Sequence, residues 1–423
     1  MKNLKFIICA LALLFFATVQ INAQLDLQEE IPLMRDGKPV LYQGQQVTEV
    51  FASKEARFGE KMLTGCHYDP KFVELRKQIE KELKNNDDQC PGAFNSGKVL
   101  LCEPTSTVNV IYDGATPEAR RAFQYAADIY ARVLNISTPV DVSFSFAALA
   151  PNVIGQAGPD GFFNVGGTVY PDALAEQLVG FDIGGPGDPD MNITFSSEFP
   201  FYFGLDGCAP DGTIDFVTIV LHEMMHGFGF LSSDFVFDSN DFPGFFGPGH
   251  AAGACNGFGP GGVLPYVFDL FLRSPSFGGI DPYMARTSPG VTPAGFGCFF
   301  GLEAYYTNND LEFVGGNTSA CFGGAARIYS PNPYRNGSSI SHYDEGTYPG
   351  LDPNNLMTPF YSGVSHDFGC SLATLRDLGY DTADDVPECE VVPTMGEWGL
   401  ASLGLILLIL GVVTIKSRKL VFG

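Results

Sequence analysis

Charged side chains are scarce in this sequence, and cationic side chains are the scarcest. Only 17% of the 423 residues are charged, and 24 Lys and Arg stand against 48 Asp and Glu, for a formal net charge of −24. Because phosphate binding needs clustered Lys and Arg, this composition argues against a nucleic-acid partner. Spare carboxylates can bind calcium, although solubility is the simpler explanation of the charge.

The sequence also lacks internal repeats and long low-complexity tracts. Its 45% hydrophobic content excludes a mostly disordered chain, and 50 Gly and 37 Phe predict many tight turns around an aromatic core. Strand-like and helix-like segments follow one another: strands at residues 99–102, 108–112 and 140–146, and helices at 71–84, 116–134, 215–227 and 372–378. We therefore predict the α+β class.

Both ends of the chain carry export signals. Residues 1–23 combine early lysines, an apolar stretch and a small final residue, which is typical of a cleaved signal peptide. Residues 392–398 (Val-Pro-Thr-Met-Gly-Glu-Trp) precede an apolar run at 399–415 and a basic tail at 416–423. This layout resembles the bacterial surface-sorting tails that begin Ile-Pro-Thr-Leu, and it predicts membrane contact through residues 399–415. We expect a secreted or cell-surface protein.

Export determines which cysteines remain in the mature chain and what state they are expected to be in. Of the ten cysteines, one leaves with the signal peptide, so nine remain in an oxidising compartment where disulfides are expected. Because nine is odd, at least one is free or bound otherwise. Cys66 precedes the other eight and is the candidate odd residue. A thiolate there could bind a metal and block a site until the N-terminal region is removed; an ordinary disulfide or a free thiol is the alternative.

The chemistry is carried by Leu-His-Glu-Met-Met-His at residues 221–226. On a helix, His222 and His226 share one face and can reach one ion. Glu223 lies beside the first ligand and can take a proton from a metal-bound water, whose pKa zinc lowers to about 7. The preceding residues are apolar, so Glu223 is expected to be buried and to need a cation nearby. Gly229 is expected to turn the chain sharply.

Histidine is scarce enough to make the search for a third ligand short. The chain has six, and after His222 and His226 there remain His67, His250, His342 and His366. His342 is soon followed by Asn-Leu-Met-Thr-Pro at residues 355–359. No such sequence follows His366, and His250 lies in a Gly/Pro-rich loop. Glu303 and Glu312 are alternatives if the third ligand is a carboxylate.

These motifs together resemble leishmanolysin-like metzincins, in the form of their bacterial secreted members. The resemblance implies zinc ligands His222, His226 and His342, the general base Glu223, and Met357 in the methionine turn below the metal. It also implies a metzincin-like catalytic domain with a twisted mixed sheet, an active-site helix and a loop-rich C-terminal subdomain. The implied activity is zinc-dependent endopeptidase activity on proteins or peptides. The alternative is a zinc-binding surface protein or adhesin that does not cut.

Two further sets of residues are candidates for the site. Tyr343 and Tyr361 could donate to an oxyanion, although packing explains them as well. Asp182, Asp188, Asp190 and Asn192 offer oxygen ligands at short spacing, so Ca²⁺ is a candidate second cation, although turn formation explains them equally.

The expected organisation runs in order along the chain. It comprises a signal peptide (1–23), an N-terminal region that is a candidate pro-region (24–100), a catalytic domain (101–385) with a long insertion (233–340), a linker with the sorting motif (386–398), an apolar segment (399–415) and a basic tail (416–423).

Overall fold

A computed structural model describes residues 31–50, 64–83, 104–237, 253–256, 264–289, 291–295 and 298–383. The predicted signal peptide, sorting motif, apolar segment and basic tail lie outside these residues, as do the predicted strand at 99–102 and His250. In the part of the chain that the structure describes, no helix has the length and apolar character needed to cross a membrane.

The N-terminal residues form short strands and one helix. Six two-residue strands occupy residues 31–49, and a seventh precedes the helix: Ile31–Pro32 (β1), Met34–Arg35 (β2), Lys38–Pro39 (β3), Leu41–Tyr42 (β4), Gln45–Gln46 (β5), Thr48–Glu49 (β6), His67–Tyr68 (β7) and Pro70–Leu83 (α1). The predicted helix at 71–84 therefore exists and begins at Pro70.

The central part contains the largest elements of the described chain. In chain order they are Val108–Tyr112 (β8), Pro117–Val133 (α2), Val140–Ala147 (β9), Gly155–Pro159 (β10), Phe162–Val165 (β11), Thr168–Pro171 (β12), Asp172–Val179 (α3), Met191–Ser196 (β13), Phe201–Tyr202 (β14), Ile214–Asp215 (β15) and Phe216–Gly227 (α4).

A four-stranded mixed sheet organises this part. The order is β10–β13–β9–β8, with β8, β9 and β13 parallel and β10 antiparallel to β13. One edge is thus formed by β10, the strand against which helix α4 packs. A second sheet, β1–β6–β11–β12, joins the N-terminal strands to the hairpin that leads into α3. The predicted α+β class and the mixed sheet are confirmed.

Two helices and an aromatic cluster form the core beside this sheet. Thr116 caps α2 by accepting a bond from the Ala119 amide, and Pro117 occupies the first position of the helix. The buried Tyr130 hydroxyl donates to the Leu221 carbonyl at 2.6 Å and so ties α2 to α4. Phenylalanines from the sheet and both helices fill the interior: Phe123, Phe144, Phe195 and Phe216.

The C-terminal half consists of short elements joined by turns. They are Asp234–Phe237 (β16), Gly253–Asn256 (β17), Leu272–Arg273 (β18), Pro282–Ala285 (α5), Thr292–Gly295 (β19), Cys298–Phe300 (β20), Glu303–Tyr306 (α6), Glu312–Phe313 (β21), Gly316–Phe322 (α7), Ala326–Arg327 (β22), Phe360–Tyr361 (β23), Ser371–Leu378 (α8) and three 3₁₀ turns, Phe268–Phe271, Pro275–Phe277 and Asn355–Met357. A disulfide between Cys321 and Cys370 joins the end of α7 to the start of α8.

Candidate metal centre and active site

Helix α4 carries three of the predicted site residues and is fixed at both ends. At the start, the Asp215 carboxylate accepts bonds from the Thr218 amide at 2.8 Å and the Thr218 hydroxyl at 2.7 Å. At the end, Gly229 adopts a left-handed φ of 101°, as the sequence predicts. This turn brings the Phe230 carbonyl back to His226, whose Nδ1 lies 2.6 Å from it. The local sequence thus orients the last histidine of the helix.

The other two histidines are oriented by backbone carbonyls in the same way. His222 Nδ1 lies 2.6 Å from the Leu356 carbonyl, which belongs to the 3₁₀ turn before Met357. His342 Nδ1 lies 2.7 Å from the Ser338 carbonyl in its own loop. Since a carbonyl only accepts, each Nδ1 carries the proton, and each Nε2 of a neutral ring is left with a free lone pair.

The three free lone pairs converge. The Nε2 atoms are 3.0 Å apart for His222 and His226, 3.2 Å for His222 and His342, and 3.2 Å for His226 and His342. Burial lowers the pKa of His222 to about 4 and the pKa of the other two well below the usual value, so all three rings are neutral at pH 7. The three histidines therefore form a buried group that can hold a metal ion.

Glu223 follows His222 on α4 and is fully buried. Its Oε1 accepts a bond from the Cys66 amide at 3.0 Å, whereas its Oε2 is inaccessible and has no hydrogen-bond partner among the residues that the structure describes. Burial raises the pKa of Glu223 well above its usual value. A cation among the neighbouring histidines would act in the opposite direction, since positive charge favours the carboxylate. The arrangement therefore fits a carboxylate that works beside a metal.

Residues 64–68 lie as an extended segment along the edge strand β10. The Ala157 amide donates to the Thr64 carbonyl at 2.8 Å, and the Ile154 amide donates to the Cys66 carbonyl at 2.9 Å. The bridge between Thr64 and Ala157 is antiparallel. On its other side the segment pairs with β23 through His67–Tyr68. Part of the predicted N-terminal region thus occupies the sheet edge next to Glu223.

Gly155 permits this close packing of three parts of the chain. A Cβ at Gly155 would lie 2.7 Å from Glu223 Oε1, and a Cβ at Gly65 would collide with the Gly155 carbonyl. Both positions therefore require glycine because backbone and carboxylate approach so closely. A single sequence gives no sign of this role, since glycine is abundant along the chain.

The Cys66 thiol does not belong to the metal-binding group. Cys66 is free and buried, with 3% of its surface exposed. Burial, followed by the charges of Glu223 and Glu345, raises the pKa of its thiol well above the usual value. Among the described residues, the atoms that converge with the histidines do not include its sulfur. The contact that Cys66 makes with the site is through its backbone amide.

His366 does not serve as the third ligand in this structure. Its Nε2 lies 2.7 Å from Asp215 Oδ1, at the N-terminus of α4, and it is buried there. Neither Glu303 nor Glu312 joins the histidine group within the described residues; Glu312 instead pairs with Arg327 at 3.7 Å.

Met357 and the two candidate tyrosines, Tyr343 and Tyr361, are buried. The Met357 carbonyl accepts a bond from the Tyr343 amide at 2.9 Å, which joins the methionine turn to the loop of His342. The Tyr343 hydroxyl lies 2.6 Å from Thr374 Oγ1, and the Tyr361 hydroxyl accepts a bond from the Asp215 amide at 3.0 Å. Packing therefore explains both tyrosines, whose hydroxyls are engaged away from the histidines.

Of the four candidate calcium residues, only Asp190 joins a group of converging carboxylates in the described part of the chain. Asp190 converges with Asp172 and Glu176 in a second buried group that can hold a metal. Asp182 instead accepts a bond from the Gly185 amide at 2.5 Å, Asn192 donates to Asp160, and Asp188 is exposed. The sequence did contain a signal, because Asp172 and Glu176 are four residues apart on α3, the same spacing as His222 and His226.

A family model described as SPBPB7E8-like matches residues 111–243, which include helix α4 and end before His342. No curated protein matches the chain. No solved structure matches it either.

Proposed function

We propose that this chain is a zinc-dependent endopeptidase, with His222, His226 and His342 as metal ligands and Glu223 as general base. The observation that carries the proposal is the convergence of three neutral imidazole nitrogens, two of them from the helix that also carries Glu223, a buried carboxylate with one oxygen unpaired among the described residues. Three lone pairs directed at one point repel one another unless a cation lies between them.

Zinc fits this donor set better than calcium or magnesium. Imidazole nitrogen is a zinc ligand at about 2.0–2.1 Å, and tetrahedral coordination at that distance places ligands about 3.3 Å apart. The observed separations of 3.0–3.2 Å are close to this value. Calcium and magnesium prefer oxygen ligands and are disfavoured here. Three protein ligands leave the fourth coordination position of the metal open, as catalytic sites require. Zinc held by the three histidines would lower the pKa of a bound water and polarise a carbonyl.

Glu223 supplies the proton transfers. Its Oε2 is free to accept a proton from the attacking water and to deliver that proton to the departing amine. In the described chain, which keeps its N-terminal region, the Cys66 amide donates to the other oxygen. A protein that only stores or binds zinc has no need of such a carboxylate, which favours the peptidase over the adhesin.

The way residues 64–68 bind to the edge of the sheet supports a peptide as the substrate. The backbone of residues 64–68 bonds to β10 as an added antiparallel strand, next to Glu223. Addition of a strand to a sheet edge is a general way to bind an extended peptide, because main-chain bonds give affinity for any sequence. We propose that substrate takes this position, with its scissile bond beside Glu223 and the histidines.

The same contact supports a pro-region. A substrate cannot pair with the edge of β10 while residues 64–68 are bonded to it. The Cys66 amide also occupies one oxygen of the general base, Glu223. We therefore propose that the chain is latent until the N-terminal region leaves, and that the backbone of this segment, rather than the Cys66 thiol, blocks the site.

The more specific proposal is a leishmanolysin-like metzincin. Its support is the sequence resemblance together with the arrangement of the methionine turn, whose Leu356 carbonyl orients His222 and whose Met357 carbonyl binds the His342 loop. Export by residues 1–23 and surface sorting by residues 392–415 belong to the same proposal.

Zinc removal and return test the function. We define the released form as the exported chain with a specific cleavage site placed between Leu83 and Pro104, cleaved and freed of the N-terminal region. We expect it to hydrolyse casein, to lose this activity when a chelator removes zinc, and to recover it with one equivalent of zinc per chain. Hydrolysis that persists in the metal-free protein would contradict the proposal. Stoichiometric zinc without hydrolysis would favour the adhesin.

A further inference from the structure

A second group of metal-competent side chains, distinct from the histidines, is formed by Asp172, Glu176 and Asp190. One carboxylate oxygen from each lies within 4.8 Å of the others. Only 7% of Asp172, 1% of Glu176 and 5% of Asp190 is exposed, so the group is enclosed by protein. Asp172 and Glu176 share one face of α3, and Asp190 immediately precedes β13.

The backbone around the cluster fixes these carboxylates in place. The Asp172 amide donates to the Gly161 carbonyl at 3.0 Å, and the Asp190 amide donates to the Asp141 carbonyl at 2.7 Å. Asp190 Oδ2 accepts a bond from the Asp141 amide at 2.7 Å, and Glu176 Oε1 accepts one from the Ile183 amide at 2.5 Å. One carboxylate oxygen of Asp190 and one of Glu176 are therefore held by backbone amides, which restrict the rotation of both side chains.

Within the described residues, two oxygens of the cluster have no hydrogen-bond partner. They are Asp172 Oδ1 and Glu176 Oε2, both inaccessible. Burial and then repulsion from Asp190 raise the pKa of Asp172 to about 8 and of Glu176 to about 9. Asp160, Asp182 and Glu49 add further negative charge. A buried carboxylate oxygen without a donor is costly, so the cluster needs either a cation or protons.

We propose that Asp172, Glu176 and Asp190 bind one calcium ion that ties helix α3 to strand β13. Calcium takes carboxylate oxygens in six- to eight-fold coordination and accepts irregular geometry, whereas an all-oxygen set disfavours zinc. Strand β13 also packs closely against the helix that carries His222 and His226. A Cβ at Gly227, the last residue of that helix, would collide with Met191, the residue that follows Asp190. The ion would thus hold the strand on which the metal-binding helix rests. This inference does not depend on peptidase activity.

Calcium titration of the exported full chain, freed of metal and reloaded with one equivalent of zinc, tests the site. We expect one calcium per chain and a rise in the unfolding temperature of several degrees, since an ion that binds only the folded state stabilises it. Glu176→Gln keeps an acceptor for the Ile183 amide but removes a charged ligand. It should weaken calcium binding at least tenfold, abolish the thermal response and leave zinc content unchanged. Asp188→Asn is the matched control, because Asp188 is a nearby exposed carboxylate outside the cluster.

Three outcomes would overturn the assignment. If calcium does not shift the wild-type unfolding temperature, and Glu176→Gln raises that temperature without calcium, the cluster holds protons, which Glu176 and Asp190 are close enough to share. If Asp188→Asn abolishes binding and Glu176→Gln does not, the ion lies in the loop. An equal response to Mg²⁺ would exclude a calcium site. Should Glu176→Gln fail to fold, Asp172→Asn and the wild-type stoichiometry decide between these outcomes.

Discussion

Replacement of His342 with alanine is expected to remove zinc from the chain and to abolish hydrolysis. His342 Nε2 lies 3.2 Å from the corresponding atom of both helix histidines, so it completes the donor triangle. Loss of a residue that merely supports a ligand costs about 10–100-fold in metal affinity, and loss of a ligand itself should cost more. Zinc content after gel filtration, with casein hydrolysis by the released form, measures both effects.

His366→Asn is the matched control for this experiment. His366 is also a buried histidine of the C-terminal half, but it pairs with Asp215 at the start of α4. The variant should be less stable because it disturbs a buried hydrogen bond, yet folded protein should retain one zinc per chain. If His366→Asn loses zinc and His342→Ala keeps it, the assignment of the third ligand is wrong.

Release of the N-terminal region is expected to raise activity about 10–100-fold. A site that is open in only about 1–10% of molecules gains this factor when the blocking segment leaves. The segment is held by main-chain bonds to β10 and by the Cys66 amide on Glu223. Hydrolysis by the exported chain, before and after cleavage between Leu83 and Pro104, measures the effect. Equal activity in both forms would show that residues 64–68 are a permanent part of the catalytic domain.

Two substitutions at Cys66 separate the backbone from the thiol. Cys66→Pro removes the amide donor, and the lost bond to a buried carboxylate is worth about 1.5–3 kcal/mol, roughly ten- to hundredfold in the docking equilibrium. Cys66→Ala keeps the amide and removes the sulfur. We expect the uncleaved proline variant to be active and the uncleaved alanine variant to stay latent. Activation by alanine would instead show that the thiol blocks the metal.

Local sequence predicted the helix of the site well, because its determinants are neighbours along the chain. Asp215 caps α4, the residues after it are apolar, and Gly229 turns the chain so that Phe230 reaches His226. The spacing of His222, Glu223 and His226 was therefore enough to place all three on one helix. The N-terminal cap and apolar face of α2 were predictable for the same reason.

His342 was predicted by other means, since no local pattern joins it to a helix that ends at Gly227. The scarcity of histidine left few candidates, and the resemblance to leishmanolysin-like metzincins, carried by the methionine turn after it, implied His342. In the structure the Leu356 carbonyl of that turn orients His222. The role of His366 as a partner of Asp215 could not be foreseen, because that contact joins distant parts of the chain.

The features that the sequence did not reveal depend on backbone atoms or on long-range charge. The Cys66 amide carries no residue-specific signal, so its bond to Glu223 appears only when residues 64–68 are placed on the β10 edge. Asp190 meets Asp172 and Glu176 because the Asp160 amide donates to the Asp190 carbonyl and the Asp172 amide donates to the Gly161 carbonyl. The alternation of apolar and polar residues and the composition of a segment predict which residues are buried, but not which buried groups contact one another.

The measurement that tests the central claim most directly pairs zinc content with casein hydrolysis in the released form, wild type beside Glu223→Ala. Glu223 follows His222 on α4 but does not belong to the histidine group, so we expect one zinc per chain in both proteins. We expect hydrolysis only in the wild type, with the variant reduced about 10²–10⁴-fold, the usual contribution of a general base. Full activity in Glu223→Ala, or no stoichiometric zinc in the wild type, would contradict the account.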